Sequence, residues 1–475
     1  MKRTITRFAP SPTGYLHIGG LRTALFSYLW AKKHDGQFKL RIEDTDQKRE
    51  VAGAREQLIQ TLHTMGLNPD GAIVVQSERT NAGIYRKKAE ELIKSGNAYH
   101  CFCSEERLKA IREQQAHDKQ APRYDGLCRD VSADEATRRI TAGEPSVIRI
   151  KMPNSEINVT DGIHGTITFH QRDLQDAILL KTDGHPTYHL ANVVDDHDMA
   201  VTDVIRGEEW LPSLPLHYAL YDALGYDKPH FFHVPLILNT DRTKLSKRQG
   251  DVSVESYLAK GYLTAALINY IAFLGWNPGG ERELFSLADL IREFDIHHIN
   301  KAGAVFSIEK LNWYNSWYIK NILATQSTAI IEQTLAPFLP ELQPDQRLAL
   351  FTLFFERIAT LAELPELAAP LLKKFEHYDP ALLIFKKSDH DKTLRGLKEA
   401  EQHLKAYDGG WTRIALDLTL QELMRDRALT AGDLFWPVRV ALSGSAASPS
   451  PAELMNYLGK EESLHRLHHA ISVLK

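Results

Sequence analysis

Two short segments of the chain carry residue types suited to holding a nucleotide. Residues 17–20 read HIGG, and residues 244–248, far downstream, read KLSKR. Glycines allow close approach of a backbone to a ligand, and a helix N-terminus favours phosphate. The imidazole can donate to phosphate oxygens that gain charge in a reaction, and a compact cluster of lysine and arginine suits a polyphosphate. Together the segments predict a site for ATP.

Each segment by itself also fits an ordinary structure. HIGG is compatible with a turn bearing a surface histidine, and KLSKR with a solvated basic loop. The chain has no GxxxxGK[ST] phosphate loop and no complete dinucleotide glycine fingerprint, so kinase-like and dehydrogenase interpretations lose their usual support.

A strand–helix–strand unit is predicted around the first segment. Residues 4–8 have strand composition, and the turn at residues 10–14 ends the strand. The apolar residues that follow have the i, i+3, i+4 spacing of an amphipathic helix, namely Leu21, Ala24, Leu25, Tyr28 and Leu29. Gly36 comes just after the basic last turn, and residues 38–42 form the next strand. We expect the right-handed crossover of a parallel sheet.

The pattern changes along the rest of the chain. From about residue 81, helical runs and short strands indicate an insertion. Parallel-sheet strands are predicted again at residues 187–196 and 201–205, and a late strand at 233–238 leads to KLSKR. After about residue 320 the helical pattern dominates, with an interruption at residues 434–444.

Composition describes a globular, multidomain chain. Its 475 residues suggest about three domains. The net charge of −4 means that a nucleic-acid-binding face would have to be a local patch. Three cysteines, an odd number, argue for a reducing compartment. No signal-like or membrane-spanning apolar run is present, so we expect a cytoplasmic protein without membrane contact.

Further motifs give the chain a family resemblance. They are residues 7–14 (RFAPSPTG), 41–46 (RIEDTD), 186–192 (PTYHLAN) and 206–211 (RGEEWL). With HIGG and KLSKR, they resemble the class I aminoacyl-tRNA synthetases and, within them, the bacterial glutamyl-tRNA synthetase family, in order along essentially the whole chain. Gly20 stands where the first motif often has histidine, which is a usual variant in this family.

The resemblance implies an α/β fold and a domain order. A Rossmann-like parallel-sheet catalytic domain would comprise residues 1–80 and 188–238, and an inserted acceptor-end-binding domain residues 81–187. A stem-contact domain carrying the KLSKR loop would span 239–320. An all-α anticodon-binding region would follow at 321–475, with two subdomains that divide near residue 375.

The resemblance also implies a reaction and its participants. L-glutamate is activated with ATP, accompanied by Mg²⁺, and is then transferred to the 3′ end of tRNA(Glu) by a monomeric enzyme. By motif position, glutamate is held by Arg7, Ala9, Ser11, Glu43, Tyr188, Asn192 and Arg206. ATP is held by His17, Gly19, Gly20, Trp210, Leu236, Lys244, Lys247 and Arg248. His17 and Lys247 act as catalytic residues that stabilise the transition state.

The residue chemistry agrees with these implied roles. Arg7 and Arg206 can meet the substrate's side-chain carboxylate, because guanidinium pairs with carboxylate in a bidentate manner. Glu43 can receive the α-ammonium group. A neutral amide cannot match two buried cations, so glutamine should be rejected by a substantial factor.

Two assignments concern the insertion and the C-terminal helices. Cys101, Cys103 and Cys128 match a zinc-binding segment of part of the family, and Asp130 stands where the further ligand would follow. His100 and His117 are other candidate ligands, and three free thiols without metal are the alternative. Arg357 matches a position that reads the third anticodon base, where arginine goes with enzymes confined to tRNA(Glu).

Several other functions stay open at this stage. A non-discriminating enzyme would also charge tRNA(Gln). A catalytically inactive tRNA-binding homologue would be expected to lose His17, Lys247 or Glu43, all of which are present. The short paralogue that glutamylates a tRNA base, or a nucleotidyltransferase that makes a small adenylate, would not need the C-terminal helices. Glutaminyl-tRNA synthetase is disfavoured by the arginine pair.

Overall fold

The computed structural model describes residues 3–46, 51–245, 253–372 and 379–475. The chain divides into two compact units, of which the first runs to Leu258 and includes Thr264–Lys310, and the second comprises Ala259–Leu263 and Leu311–Lys475. The strands are β1 (Ile5–Phe8), β2 (Gln37–Ile42), β3 (Val74–Val75), β4 (Ala98–Cys101), β5 (Val147–Ile150), β6 (Ile157–Asp161), β7 (Gly165–Phe169), β8 (Ile178–Leu180), β9 (Asp203–Gly207), β10 (His230–Val234), β11 (Ile237–Leu238) and β12 (Ala304–Val305).

The helices outnumber the strands within the described ranges. They are α1 (Ile18–Lys33), α2 (Ala54–Thr64), α3 (Gln76–Asn81), α4 (Ile84–Lys94), α5 (Glu105–His117), α6 (Ala133–Thr141), α7 (Tyr188–Asp198), α8 (Leu214–Leu224), α9 (Val254–Ala259), α10 (Thr264–Ala272), α11 (Leu287–Glu293), α12 (Ile308–Thr325), α13 (Thr328–Leu335), α14 (Pro344–Phe354), α15 (Leu364–Leu372), α16 (His390–Ala406), α17 (Arg413–Asp426), α18 (Phe435–Ser443) and α19 (Pro451–Val473). None of these helices combines the length and the apolar character needed to cross a membrane.

Parallel strands form the centre of the first unit. β1, β2 and β3 pair in parallel, as do β9, β10 and β6, and β7 adds antiparallel to β6. Thr202, just before β9, donates its amide to Ile5 O of β1 (2.9 Å), which joins the two groups of strands. The predicted α/β fold with a parallel sheet is confirmed.

The first strand–helix–strand unit forms as the sequence predicts. The apolar face of α1 is buried, and β1 pairs in parallel with β2. The left-handed conformation after the helix falls on Asp35 (φ 49°) rather than on Gly36. Gly36 serves close packing instead, since a Cβ there would lie 2.1 Å from Thr4 O.

Three sequence-based predictions of local structure are wrong. The strand predicted at residues 187–196 is instead helix α7, because Leu190, Ala191, Val193 and Val194 are all buried together at helical spacing and burial outweighs β-propensity. The single strand predicted at 233–238 is divided by Pro235, which has no N–H for a ladder, into β10 and β11. The predicted interruption at 434–444 is helix α18.

Part of the predicted insertion pairs with the parallel sheet. Strands β4, β5 and β8 form a separate antiparallel sheet, whereas β6 continues the main sheet by pairing with β10. The four domain ranges stay a prediction, because the two compact units are a coarser division.

The second unit is helical in its described residues. Its core is built from leucine, isoleucine and phenylalanine side chains of α12 to α19, and α19 packs with α16, α17 and α18. The predicted helical C-terminal region is confirmed.

Candidate functional site

The first unit contains a cavity of about 500 Å³ beside the N-terminus of α1. It lies where β1, β2 and β9 end, the position at which open parallel sheets bind ligands. Twelve of the predicted site residues line it: Arg7, Ala9, Ser11, His17, Gly19, Gly20, Glu43, Tyr188, Arg206, Trp210, Leu236 and Lys244. Asn192 lies behind the wall. Lys247 and Arg248 fall outside the described residues.

His17 is the N-cap of α1. Its Nδ1 accepts a hydrogen bond from the backbone N–H of Gly20 (3.0 Å), so the neutral ring carries its proton on Nε2. A side chain at Gly19 would press on this ring, since a Cβ there would lie 3.1 Å from Nδ1. The HIGG residues thus hold a histidine donor and a helix N-terminus on the same cavity wall.

A buried acid–base network stands behind the cavity. The Arg7 Nε donates to Asp196 Oδ1 (3.0 Å), and Arg41 donates to the same carboxylate. Burial opposes ionisation of Asp196, but the charges of Arg41 and Arg7 outweigh it and lower the pKa of this carboxyl group. Arg7 therefore has a buried, ionised carboxylate as a direct partner, which it shares with Arg41.

Arg41 also fixes two of the predicted glutamate-binding residues. Its Nη2 donates to Glu43 Oε1 (2.9 Å) and to Asn192 Oδ1 (2.7 Å). Burial raises the pKa of Glu43, and the charge of Arg41 acts against this rise. Asn192 is fully buried, and its Oδ1 also accepts from Arg7 Nη2 (3.3 Å).

Arg206 and Tyr188 form the opposite part of the wall. The Arg206 Nη1 donates to the Tyr188 hydroxyl (2.9 Å), and the Tyr188 ring packs on Trp210 with centroids 4.3 Å apart. Arg206 is buried, and its Nη2 has no hydrogen-bond partner within the part of the chain that the structure describes. Arg206 is thus a cavity-lining cation with one buried N–H group left over for a further hydrogen bond.

A turn carries the start of the basic segment to the cavity. Asn239 N–H donates to Thr243 O (2.8 Å) and Leu245 N–H donates to Ile237 O (3.0 Å), which folds the segment back on β11. Lys244 thereby lines the cavity with Leu236.

Sequence reasoning missed three charged residues of this site. Arg41 belongs to a motif used for the resemblance, whereas Asp196 lies four residues after one, and their buried ion pair joins positions far apart in the chain. Arg22 lines the cavity one turn after HIGG and donates to the backbone oxygens of Leu274 and Pro235, and burial lowers its pKa to about 10. The sequence offered one signal for these residues, which is the presence of a charged residue within a mostly apolar strand or helix.

The three cysteines lie together at the end of β4. Their sulfur atoms are all within 4.8 Å of one another, and Cys103 Sγ is 3.6 Å from Cys128 Sγ. Asp130 is exposed and does not belong to this group. Three convergent thiols fit a thiophilic metal ion such as zinc, but the geometry gives Asp130 no support as the fourth ligand.

Arg357 lies in the second unit, just after α14. Its side chain is 38% exposed and contacts the Glu453 carboxylate at 3.4 Å. The long contact and the exposure leave this guanidinium accessible to solvent and to a binding partner.

Comparisons with protein families cover most of the chain. Residues 3–313 match the family model of the catalytic domain of class I tRNA synthetases (E and Q), and residues 330–471 match an anticodon binding domain.

Individual relatives match over the full length. A glutamate–tRNA ligase of Finegoldia magna is 40% identical and covers 99% of this chain and 100% of its own, and one of Clostridium botulinum (strain Loch Maree) is 44% identical over 99% and 98%. A crystal structure of a glutamate tRNA ligase from Elizabethkingia meningosepticum in complex with its amino acid superposes with a TM-score of 0.89, at 34% identity, and covers both chains fully.

Proposed function

Because this chain belongs to the class I tRNA synthetase family that includes the full-length bacterial glutamate–tRNA ligases, we propose that it is a glutamate–tRNA ligase. The observation that carries the proposal is the cavity itself. One wall presents the histidine-capped N-terminus of α1, and the other presents buried arginine and carboxylate groups. A phosphate and an acidic amino acid therefore find complementary groups within one site.

The reaction proceeds in two steps. An oxygen of the glutamate α-carboxylate attacks the α-phosphorus of ATP, the bond to the bridging oxygen breaks, and diphosphate leaves. A hydroxyl oxygen of the terminal tRNA ribose then attacks the acyl carbon of glutamyl-adenylate, and AMP leaves. ATP enters as its magnesium complex.

The amino acid is held by the buried half of the cavity. Arg206, with its unpaired Nη2, receives the side-chain carboxylate, and Glu43 receives the α-ammonium group. Tyr188 orients the substrate beside Arg206. Arg7, Ala9 and Ser11 line the same pocket, and Asn192 supports it through its hydrogen bond with Arg7.

ATP occupies the half of the cavity next to α1. Gly19 and Gly20 allow the phosphates to approach the backbone, and His17 donates from Nε2 to oxygens that gain charge in the transition state. Trp210 and Leu236 flank the adenosine, and Lys244 contacts phosphate. Lys247 and Arg248, which do not belong to the described residues, are assigned to the phosphates as well.

The second unit recognises the tRNA. We assign the anticodon to its helices, and Arg357 to the third anticodon base, which would confine the enzyme to tRNA(Glu). Its side chain is accessible enough for this role. We also propose that the protein is a cytoplasmic monomer and that its domains have the four predicted ranges. The relatives that match over the full length are named as ligases, which gives no support to the alternative of an inactive tRNA-binding homologue.

A zinc ion held by Cys101, Cys103 and Cys128 is the remaining part of the proposal. The ion would join the end of β4 to the loop that contains Cys128, and thus stabilise this part of the fold rather than take part in catalysis.

Aminoacylation of two purified tRNAs tests the function. The chain is expected to charge tRNA(Glu) with glutamate, and to exchange diphosphate into ATP when glutamate and tRNA are both present. Charging with glutamine, or no glutamate-dependent activity, would contradict the proposal. Charging of tRNA(Gln) with glutamate would contradict only the tRNA range.

A further inference from the structure

We propose, on the basis of the function above, that His217 and His233 are positioning residues that hold Arg206 with its positive charge unmatched, so that the pocket selects a carboxylate over an amide. Neither histidine belongs to a motif that the sequence singled out. Both are fully buried, His217 on α8 and His233 on β10.

The β9–β10 pairing brings Arg206 and His233 together. The two residues are direct partners in the parallel register, and the Arg206 Nε donates to His233 Nε2 (2.9 Å). From α8, His217 Nδ1 lies 3.2 Å from Arg206 Nη1, the nitrogen that also donates to Tyr188. None of these three partners of Arg206 is a carboxylate.

The hydrogen bonds require both rings to be neutral. Each ring must present a lone pair to Arg206, so its proton lies on the other nitrogen. His233 then donates from Nδ1 to Asp161 Oδ2 (2.7 Å), and His217 donates from Nε2 to His189 Nδ1 (3.2 Å). A protonated ring would direct an N–H at a guanidinium that can only donate.

Burial supports the same protonation states. It lowers the pKa of His233 to about 4, although the hydrogen bond to Asp161 acts in the opposite direction. Burial and then the charge of Arg206 lower the pKa of His189 to about 4 and that of His217 well below the usual range. Near neutral pH, these rings therefore add no charge beside Arg206.

The two arginines of the pocket are thus electrostatically different. Among the described residues, Arg7 donates to the Asp196 carboxylate, whereas the partners of Arg206 are neutral groups and its Nη2 has none. A substrate carboxylate next to Arg206 would gain both a hydrogen bond and a counter-charge. A substrate amide would leave the buried cation uncompensated, which is the situation in which binding sites discriminate strongly. The specificity of the pocket then depends on the neutrality of the groups that contact Arg206 directly, with the Asp161 carboxylate held on the far side of the His233 ring.

A matched pair of substitutions at His217 tests this inference. In His217→Gln, the amide oxygen can still accept from Arg206, and we expect the ratio of kcat/KM for glutamate to that for glutamine to stay within about threefold of wild type. In His217→Glu, of similar size, a carboxylate matches the charge of Arg206. We expect its kcat/KM for glutamate to fall by about 100-fold, mainly through KM, and its ratio to glutamine to fall with it.

The assay is diphosphate exchange with tRNA present, and the wild-type protein provides the reference. If the wild type shows no glutamate-dependent exchange, that result contradicts the proposed function rather than the roles of the two histidines. If His217→Glu is folded and keeps the wild-type ratio, or if both variants lose the same factor with the ratio unchanged, the histidines have only a structural role and the inference is overturned.

A second pair covers the case in which His217→Glu does not fold. His233→Leu removes the acceptor for Arg206 Nε without adding charge, and His233→Gln restores an acceptor. We expect the KM for glutamate to rise by about tenfold in the leucine variant, because Arg206 loses a fixed orientation, and to recover to within about threefold in the glutamine variant. A wild-type KM in His233→Leu, or no recovery in His233→Gln, would also overturn the inference.

Discussion

His17 occupies a position in which its structural and catalytic roles can be separated by mutation. Its Nδ1 caps α1 by accepting from the Gly20 N–H, and its Nε2–H is the donor that we assign to the phosphates. Asparagine is a good N-cap residue whose side-chain oxygen can replace Nδ1, but it does not extend to the position of Nε2. His17→Asn therefore keeps the cap and removes the donor, whereas His17→Ala removes both.

The two roles differ in expected magnitude. Loss of an N-cap costs about 1 kcal/mol of folding stability, which corresponds to about 2 °C in Tm for a unit of this size. Loss of one donor to the transition state costs about 3 kcal/mol, which is about 10²-fold in rate. We expect His17→Asn to show wild-type Tm and a 10²-fold slower diphosphate exchange, and His17→Ala to combine the same slow exchange with the lower Tm.

Ser286→Ala provides the matched control. Ser286 caps α11 in the same unit by accepting from Asp289 N–H (3.1 Å), and it does not line the cavity. The Tm of this variant should fall by about as much as that of His17→Ala, while its exchange rate should equal that of the wild type. If His17→Asn recovers both stability and exchange, His17 acts only as a helix cap and the catalytic assignment is refuted.

Four further outcomes are expected. Arg41→Met should lower the free energy of unfolding of the first unit by about 3–5 kcal/mol in urea titrations, because it removes the buried cation that pairs with Glu43 and leaves Arg7 as the partner of Asp196. A loss below about 1 kcal/mol would contradict this reasoning. The pKa of the Asp196 carboxyl group is lowered in the folded protein. Its contribution to stability is therefore fully present above its ordinary pKa of 3.8 and is lost as pH falls through the folded value. The Tm advantage of wild type over Asp196→Asn should shrink at acid pH and stay constant between about pH 6 and 8. Protein prepared without tags or chelators should contain about one zinc ion per chain. The Cys103→Ser variant should lose this ion, and the Asp130→Asn variant should keep it. Substoichiometric zinc in the wild type would contradict a metal site. Arg357→Gln should raise charging of tRNA(Gln) relative to tRNA(Glu), and an unchanged ratio would remove Arg357 from anticodon discrimination.

Local patterns in the sequence were sufficient for the first strand–helix–strand unit and for the helical C-terminal region. The periodicity of α1 and the HIGG residues at its start depend on neighbours within a few positions, and such relations are visible in a linear chain. The same local rules failed for α7, where β-branched residues suggested a strand. Tertiary burial of one helix face decides that element.

The sequence motifs also identified most residues of the cavity, but they did not reveal the electrostatic difference between its two arginines. In the sequence, Arg7 and Arg206 are equivalent candidates for the same carboxylate. Only the folded chain places Asp196 against Arg7, and the register of β9 with β10 places a neutral histidine against Arg206. Whether a buried charge is matched depends on contacts between residues that are distant along the chain, and burial then determines their protonation. The tertiary structure therefore decides which arginine can respond to the charge of the substrate.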